Sequence, residues 1–367
     1  MSIKYNGGYI PAVGADGQIL VADSSTSTGL RYNPTSAAGK NAIINGGMDI
    51  WQRGTSIAIP ASQAFTLNYS ADRWDLSSTG ASQAMTISRQ ATGDTTNLPN
   101  IQYCARVQRN SAQTGVTSLI FTQSLESINA IPFAGKQVTL SYYARAGANY
   151  SATSNTLTAQ LYTGTGTDQN MNAGYSGSLA PISSGVTLTT TWQRFSASAT
   201  LSSSLTELGI AFQFTPTGTA GANDYFEITG VQLELGSTAT TFSRAGGSIG
   251  KELALCQRYY YRWTANSTYS RYPVLGTAIS TTVAVFPSIT PVPLRATPSA
   301  VEVSSNWRLY DGASVVTGAT ISIIVSTEAQ SQPYLAASVS SGLTQFRPYM
   351  VTANNDASAY VGLSAEL

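Results

Sequence analysis

Between residues 84 and 235 the chain passes repeatedly through short segments in which apolar residues alternate with polar or small ones. They read AMTISRQ, YCARVQR, SLIFTQSL, QVTLSYYARA, TLTAQLYTG, GVTLTTTWQRFSASATL, LGIAFQF and YFEITGVQLEL. A period of two sends every second side chain to the same face of a strand, so each segment has one face to bury and one to leave in water. Val, Ile, Thr, Tyr and Phe fill the segments, and Gly, Asn, Asp and Ser clusters separate them, as in strands joined by turns. Parallel sheets are buried on both faces and read as continuous apolar runs, so the alternation predicts antiparallel pairing. About eight such strands predict a jelly roll or a similar double sheet.

One stretch breaks the pattern. In GSIGKELALCQRYYYRW, residues 247–263, Leu253, Cys256, Tyr260 and Trp263 recur at three- and four-residue spacing, the period of one helical face. A helix this short does not stand alone in water. Its apolar face must pack on a sheet or on copies of itself. Beyond it, VLGTAISTTVAVFPSI, AVEVSSNWRLYDG, ATISIIVSTEA and LAASVSSGLTQFRPYMVTA return to β patterning, with prolines at 287, 291, 293 and 298 confining that run to an edge or an extended connection. The expected architecture is all-β: an antiparallel jelly-roll β-sandwich over 41–246, a short connecting helix over 247–263 and a smaller C-terminal β domain over 264–367. Residues 1–40, rich in Gly, Ser and Thr, bury no core of their own, and we read them as a segment ordered by docking onto another surface, with disorder as the alternative.

At 367 residues the chain exceeds one ordinary core, which agrees with more than one domain. Charged residues are 10% of it, against about 25% in an average soluble domain, and 19 basic residues against 18 acidic give a net charge of +1. Such a balance offers nothing to nucleic acid or anionic lipid. The chain has no histidine, which excludes Ser-His-Asp and Cys-His catalysis and histidine-based zinc sites. Cys104 and Cys256 have no metal-ligand spacing and read as separate buried thiols. The opening MSIKYNGGYIPAV has no signal-peptide pattern, and no apolar run approaches the ~20 residues that span a bilayer, so neither secretion by a leader nor membrane insertion is expected.

Four stretches carry a resemblance: NGGMDIWQRG at 45–54, ADRW at 71–74, GVQLELG at 230–236 with Phe242, and ELALCQRYYYRW at 252–263, with PLRATP at 293–298 downstream. In these the chain resembles a family of tailed-phage virion proteins, comprising tail fibres, receptor-binding proteins and head-associated appendages, over about residues 41–300. The resemblance implies a central jelly roll like that of carbohydrate-binding modules, usually a homotrimer, carried on a phage particle beside capsid, neck or tail proteins. It makes Leu253, Cys256, Tyr260 and Trp263 candidates for the trimer contact and residues 1–40 the virion-docking segment. It also implies jelly rolls that often hold one structural calcium, for which Asp72, Asp75, Asp224 and Glu227 would be the oxygen donors. The spacing supports no such site, and no metal or cofactor is expected.

Sugar recognition on a β-sandwich needs flat aromatic faces for a pyranose and amides or carboxylates for its hydroxyls. The long polar loop GTGTDQNMNAGYSGS, residues 164–178, is the kind of segment that carries recognition. The candidates are Tyr150, Tyr162 and Tyr175 with Asp168, Asn170 and Asn172, and more widely Tyr142, Tyr143, Trp192 and Gln160. The competing reading places tyrosines and tryptophans on alternating strands in the core. Trp51, Trp74 and Trp192 read as core, and Arg53, Arg73 and Arg194 as structural partners of Asp49, Asp72, Asp75 or Glu234. A glycosidase needs two opposed carboxylates, and no motif singles out any pair from Glu126, Glu207, Asp224, Glu227 and Glu234. The expectation is a non-enzymatic virion protein: a trimeric fibre or appendage, attached by its N-terminus, that holds host-surface polysaccharide. The alternatives are a capsid decoration protein with a purely mechanical task and a tailspike-like depolymerase.

Overall fold

The alternating segments pair as antiparallel ladders in two six-stranded sheets. A computed structural model describes residues 40–324 and 333–367, and of residues 1–39 only the backbone of four short strands. The first sheet runs Leu179–Thr187, Thr156–Gly164, Glu207–Phe214, Leu119–Ser124, Asp75–Ser78, Asn68–Tyr69. The second runs Gln193–Thr200, Gln137–Ala146, Tyr225–Leu235, Tyr103–Arg109, Met85–Ala91, Ser56–Ile59. Strands distant in sequence lie side by side in both, as expected of a jelly roll. Leu157, Leu161, Ile210, Phe212 and Phe121 from one sheet meet Val138, Leu140, Tyr142, Ile228 and Val107 from the other in one core. The segment at 185–201, read as one strand, is two, because the chain turns at residues 188–192 and sends Leu179–Thr187 and Gln193–Thr200 to the edges of different sheets.

The tryptophan- and arginine-rich entry wraps the end of this core. Trp74 is fully buried, stacks on Phe121 with ring centroids 4.7 Å apart and donates from its indole to the Asn45 carbonyl at 3.2 Å. Asn45 takes a left-handed conformation, φ 56°, and its side chain accepts from Ile50 N at 3.0 Å and donates to Ile50 O at 2.8 Å. The next residue is a glycine for a steric reason, since a Cβ at Gly46 would overlap the Val231 carbonyl oxygen.

The helix is shorter than its apolar spacing suggests. It spans Ile249–Gln257, begins at the Ser248 cap and ends at Arg258. Tyr260 and Trp263 belong instead to a strand, Tyr260–Thr264. The run Tyr259-Tyr260-Tyr261 followed by Arg262-Trp263 favours β structure, and that preference outweighs a helical spacing that two aromatic residues satisfy by coincidence. Glu252, fully buried in the helix's first turn, accepts from Asn45 N and from Gly246 N at 2.6 Å, and so ties helix and entry turn together.

The C-terminal domain has two parts. Tyr260–Thr264, Tyr360–Ser364 and Ala300–Val303 form a three-stranded sheet. The remaining strands close into a six-stranded barrel in the order Arg271–Ala278, Val283–Pro287, Tyr334–Ser338, Val315–Ile324, Trp307–Tyr310, Pro348–Ala353. Phe286, Trp307, Leu309, Tyr349 and Val351 fill its core. Pro287 is the last residue of its strand, and the proline-rich run beyond it is a connection. The docking role expected of residues 1–40 falls almost wholly outside the described residues.

Candidate functional site

The 164–178 loop turns inward. Tyr150 is buried, its ring 4.4 Å from that of Phe214 and its hydroxyl donating to Thr156 O at 3.1 Å. Tyr175 is buried and donates to Leu208 O at 3.1 Å. Asn170 is buried too, donating to Leu367 O at 3.1 Å, and Asn172 donates to Asp75 Oδ1 at 2.6 Å and to Thr122 Oγ1 at 3.0 Å. Asp168 is exposed, but its carboxylate accepts from Ser127 N at 2.8 Å and faces Arg295 Nη1 at 3.5 Å. Tyr162 is half-buried on its strand. Tyr150 and Tyr175 thus pack into the fold, and Asn170 and Asn172 sew the loop to the sandwich. Of the trimer candidates, Cys256 and Tyr260 are fully buried within one chain, while Leu253 and Trp263 are half-buried and Trp263 meets Tyr272 edge-on at 5.5 Å.

The arginine partners also differ from expectation. Arg73 pairs with Glu366, and Arg53 reaches Glu302 at 3.1 Å and Glu366 at 3.4 Å. Arg53 stacks on Tyr260 at 3.4 Å and Arg73 on Tyr259 at 3.6 Å. Asp49 takes Arg244, Glu234 takes Lys40 at 3.4 Å, and Arg194 donates to Thr240 O. Arg53 and Arg73 are therefore structural, as their setting suggested, but their partners come from the C-terminal domain, between 249 and 313 residues on. This buried junction holds the carboxyls with the largest shifts. Burial raises Asp75 to about 7 and Asp72 to about 6, against hydrogen bonds from Thr122 and Gln52 respectively that pull them down.

The remaining acids are separately committed. Asp224 is fully buried with Arg109, 2.8 Å away, and Glu227 lies between Arg106 at 2.6 Å and Arg145 on the outer face of the second sheet. Glu126 holds Arg258 at 3.1 Å, while Glu207 accepts from Gln169 N at 2.6 Å. The four proposed calcium donors do not converge, and among the described residues no group of three or more metal-ligating side chains does. Both cysteines are buried and free. Trp192 is buried, but beneath the loop that covers the outer face of the second sheet, with Leu98, Ile101 and Cys104.

What sequence reasoning missed is a groove of about 750 Å³ at the rim of the sandwich, beside the start of the helix. Asp49, Pro99, Asn100, Gln102, Tyr103, Phe242, Ser243 and Arg244 line it with Gly247 and Ile249. Asp49 and Arg244 are joined by two hydrogen bonds, Nε to Oδ2 at 2.8 Å and Nη2 to Oδ1 at 3.2 Å, and this pairing raises the arginine pKa. Arg89 lies over the half-buried Tyr103 ring at 4.4 Å and donates to Asp49 O at 3.2 Å. The groove therefore combines a braced aromatic ring, two side-chain amides, and an acceptor beside a donor. The sequence signal was available in part, since Asp49 and Phe242 both belong to the stretches that carry the family resemblance. Their meeting across almost two hundred residues was not.

No protein-family model matches the chain, and no curated protein sequence does. Among solved structures it is similar to the enzymatically active domain of tailspike protein 4 of bacteriophage CBA120, at 16% identity and TM-score 0.34, over 53% of this chain and 21% of that one. It is similar to a CBM4 module at 14% identity and TM-score 0.29, over 52% of this chain and 98% of that one. It is also similar to TmCBM61, solved in complex with beta-1,4-galactotriose, at 12% identity and TM-score 0.30, over 54% of this chain and 99% of that one. The chain spans about a fifth of the tailspike structure. These are distant likenesses to a phage tailspike and to carbohydrate-binding modules, each confined to about half of this chain.

Proposed function

We propose that the protein is a non-enzymatic structural component of a phage particle, assembled as a homotrimer, whose sandwich holds host-surface glycan in the rim groove. The observation that carries the glycan reading is the groove's lining. The Tyr103 ring offers apolar area with few rotamers to freeze, and Asn100, Gln102 and the Asp49–Arg244 pair set donors and acceptors side by side, as vicinal hydroxyls require. Its volume suits a short oligosaccharide. The virion assignment rests on the family resemblance of residues 41–300. Hydrolysis is the less supported course, because the groove's lining has one carboxylate, Asp49, already paired with Arg244.

A second reading, capsid decoration with a mechanical task, is favoured by the buried arginine–glutamate junction that fixes the C-terminal domain to the sandwich. Affinity electrophoresis through gels containing host-surface polysaccharide separates the two. The glycan reading expects the protein to be retarded, and the Tyr103→Ala variant to bind about tenfold more weakly, the loss of one well-placed aromatic contact. Equal, unretarded migration of both proteins removes the glycan reading and leaves the mechanical one.

A further inference from the structure

One guanidinium is enclosed by oxygen atoms at an end of the sandwich. Arg109 closes the strand Tyr103–Arg109 on the same face as Ala105 and Val107, which belong to the core, so its side chain enters the interior, where it is fully buried. Its Nε donates to Gln83 Oε1 at 2.8 Å, and its Nη1 donates to Asp224 Oδ2 at 2.8 Å and to Ser151 Oγ at 3.0 Å. Its Nη2 faces three backbone carbonyls, Gly115 O at 2.6 Å, Gln113 O at 3.1 Å and Gly218 O at 3.1 Å. Six oxygens thus surround one cation, enough to accept from every N–H of the guanidinium. They come from stretches far apart in the chain: Gln83 ahead of the strand Met85–Ala91, residues 113–115 just past Arg109, Ser151, and residues 218–224 ahead of the strand Tyr225–Leu235.

We infer that Arg109 is the resident structural cation of this sandwich, filling with its own guanidinium a cage that would otherwise take a hard metal ion. The donors are a carboxylate, an amide oxygen, a hydroxyl and three carbonyls, the oxygen-only chemistry that calcium prefers. The calcium implied by the family resemblance does not fit beside them, because the guanidinium already lies between these oxygens. Asp224, one of that ion's four expected donors, is spent on Arg109. Its carboxylate is otherwise held by Ser151, whose N donates to Oδ1 at 2.9 Å and whose hydroxyl donates to Oδ2 at 2.8 Å. The Gln83 amide is fixed with its oxygen toward Arg109, since its Nε2 donates to Thr117 O and, at 3.2 Å, to Thr117 Oγ1. A guanidinium stays charged throughout the ordinary pH range, so these connections are held together without an ion drawn from solution. Without it, Asp224 would be a buried carboxylate lacking a counter-charge. The inference depends on neither the glycan part nor the assembly part of the proposed function.

The test is thermal unfolding of the full chain and of its Arg109→Ala variant, each in a chelator and in millimolar calcium at equal ionic strength. The inference expects the unaltered chain to melt at the same temperature in both. It expects Arg109→Ala to melt on the order of 10 °C lower in the chelator. Calcium should return about half of that loss, because an ion bound to the emptied cage favours the folded state. Calcium that raises the melting temperature of the unaltered chain overturns the inference, as does a folded Arg109→Ala that calcium leaves unchanged. Should Arg109→Ala fold in neither solution, Arg109→Lys and Arg109→Met decide, since lysine keeps the positive charge and methionine only the length. More folded protein from the lysine variant than from the methionine variant is the expected result, and a methionine variant that folds as well as the lysine one contradicts the inference.

Discussion

Asp75 is fully buried in the first sheet, accepting from Thr122 Oγ1 at 2.8 Å and from Asn172 Nδ2 at 2.6 Å. Burial raises it to about 7 and its neighbour Asp72 to about 6, above the ordinary aspartate range near 4. The folded chain therefore binds protons between about pH 4 and 7 that the unfolded chain has released, and the stability they contribute is lost as pH rises through the folded values. We expect thermal stability to increase as pH falls from 8 to 5, against the usual direction for buried aspartates paired with cations. Asp75→Asn should flatten that dependence and raise stability at pH 8 by on the order of 1–3 kcal/mol. Melting curves across that range check it, and a stability that falls steadily from pH 8 to 5 in the unaltered protein contradicts it.

At the scale of elements, what was legible in the sequence is what local pattern encodes. Period-two alternation predicts the strands and the sandwich because each strand's inward face is written in its own residues. The helix was half legible: Ser248 and Glu252 mark its start, but nothing short of the packing of Tyr259 and Tyr260 against Arg73 and Arg53 shows that it stops at Gln257. The packing of the loop at 164–178 was not legible for a related reason. Its polar residues look exposed, whereas Asn170 and Asn172 find partners at Leu367 and Asp75, which no local pattern reveals. The turn at 45–47 is an element whose chemistry is local and steric, and it carries a sharp prediction. Gly46→Ala should lower stability by several kcal/mol, since the new methyl meets backbone and no flexible side chain can yield. Denaturant unfolding measures this, and a loss below about 1 kcal/mol would show that the turn is not held as described.

Taken whole, the molecule is two β domains clamped by buried ions. Arg73 sits between Glu366 and the Tyr259 ring, and Arg53 between Glu302, Glu366 and Tyr260. Removing one partner of such a pair leaves a buried charge uncompensated, at a cost of about 3–5 kcal/mol. Calorimetry should therefore show sandwich and barrel unfolding together in the unaltered chain, and two separate transitions in Arg73→Met. A single unshifted transition in the variant would show that the clamp does not couple them. The central claim is that glycan is held at the rim, between Tyr103 and the Asp49–Arg244 pair. Hydroxyl-radical footprinting of the full protein with and without host-surface polysaccharide tests it most directly. The account predicts protection of Tyr103 and Phe242 with Tyr162 unchanged, and protection at residues 164–178 with none at the groove would contradict it.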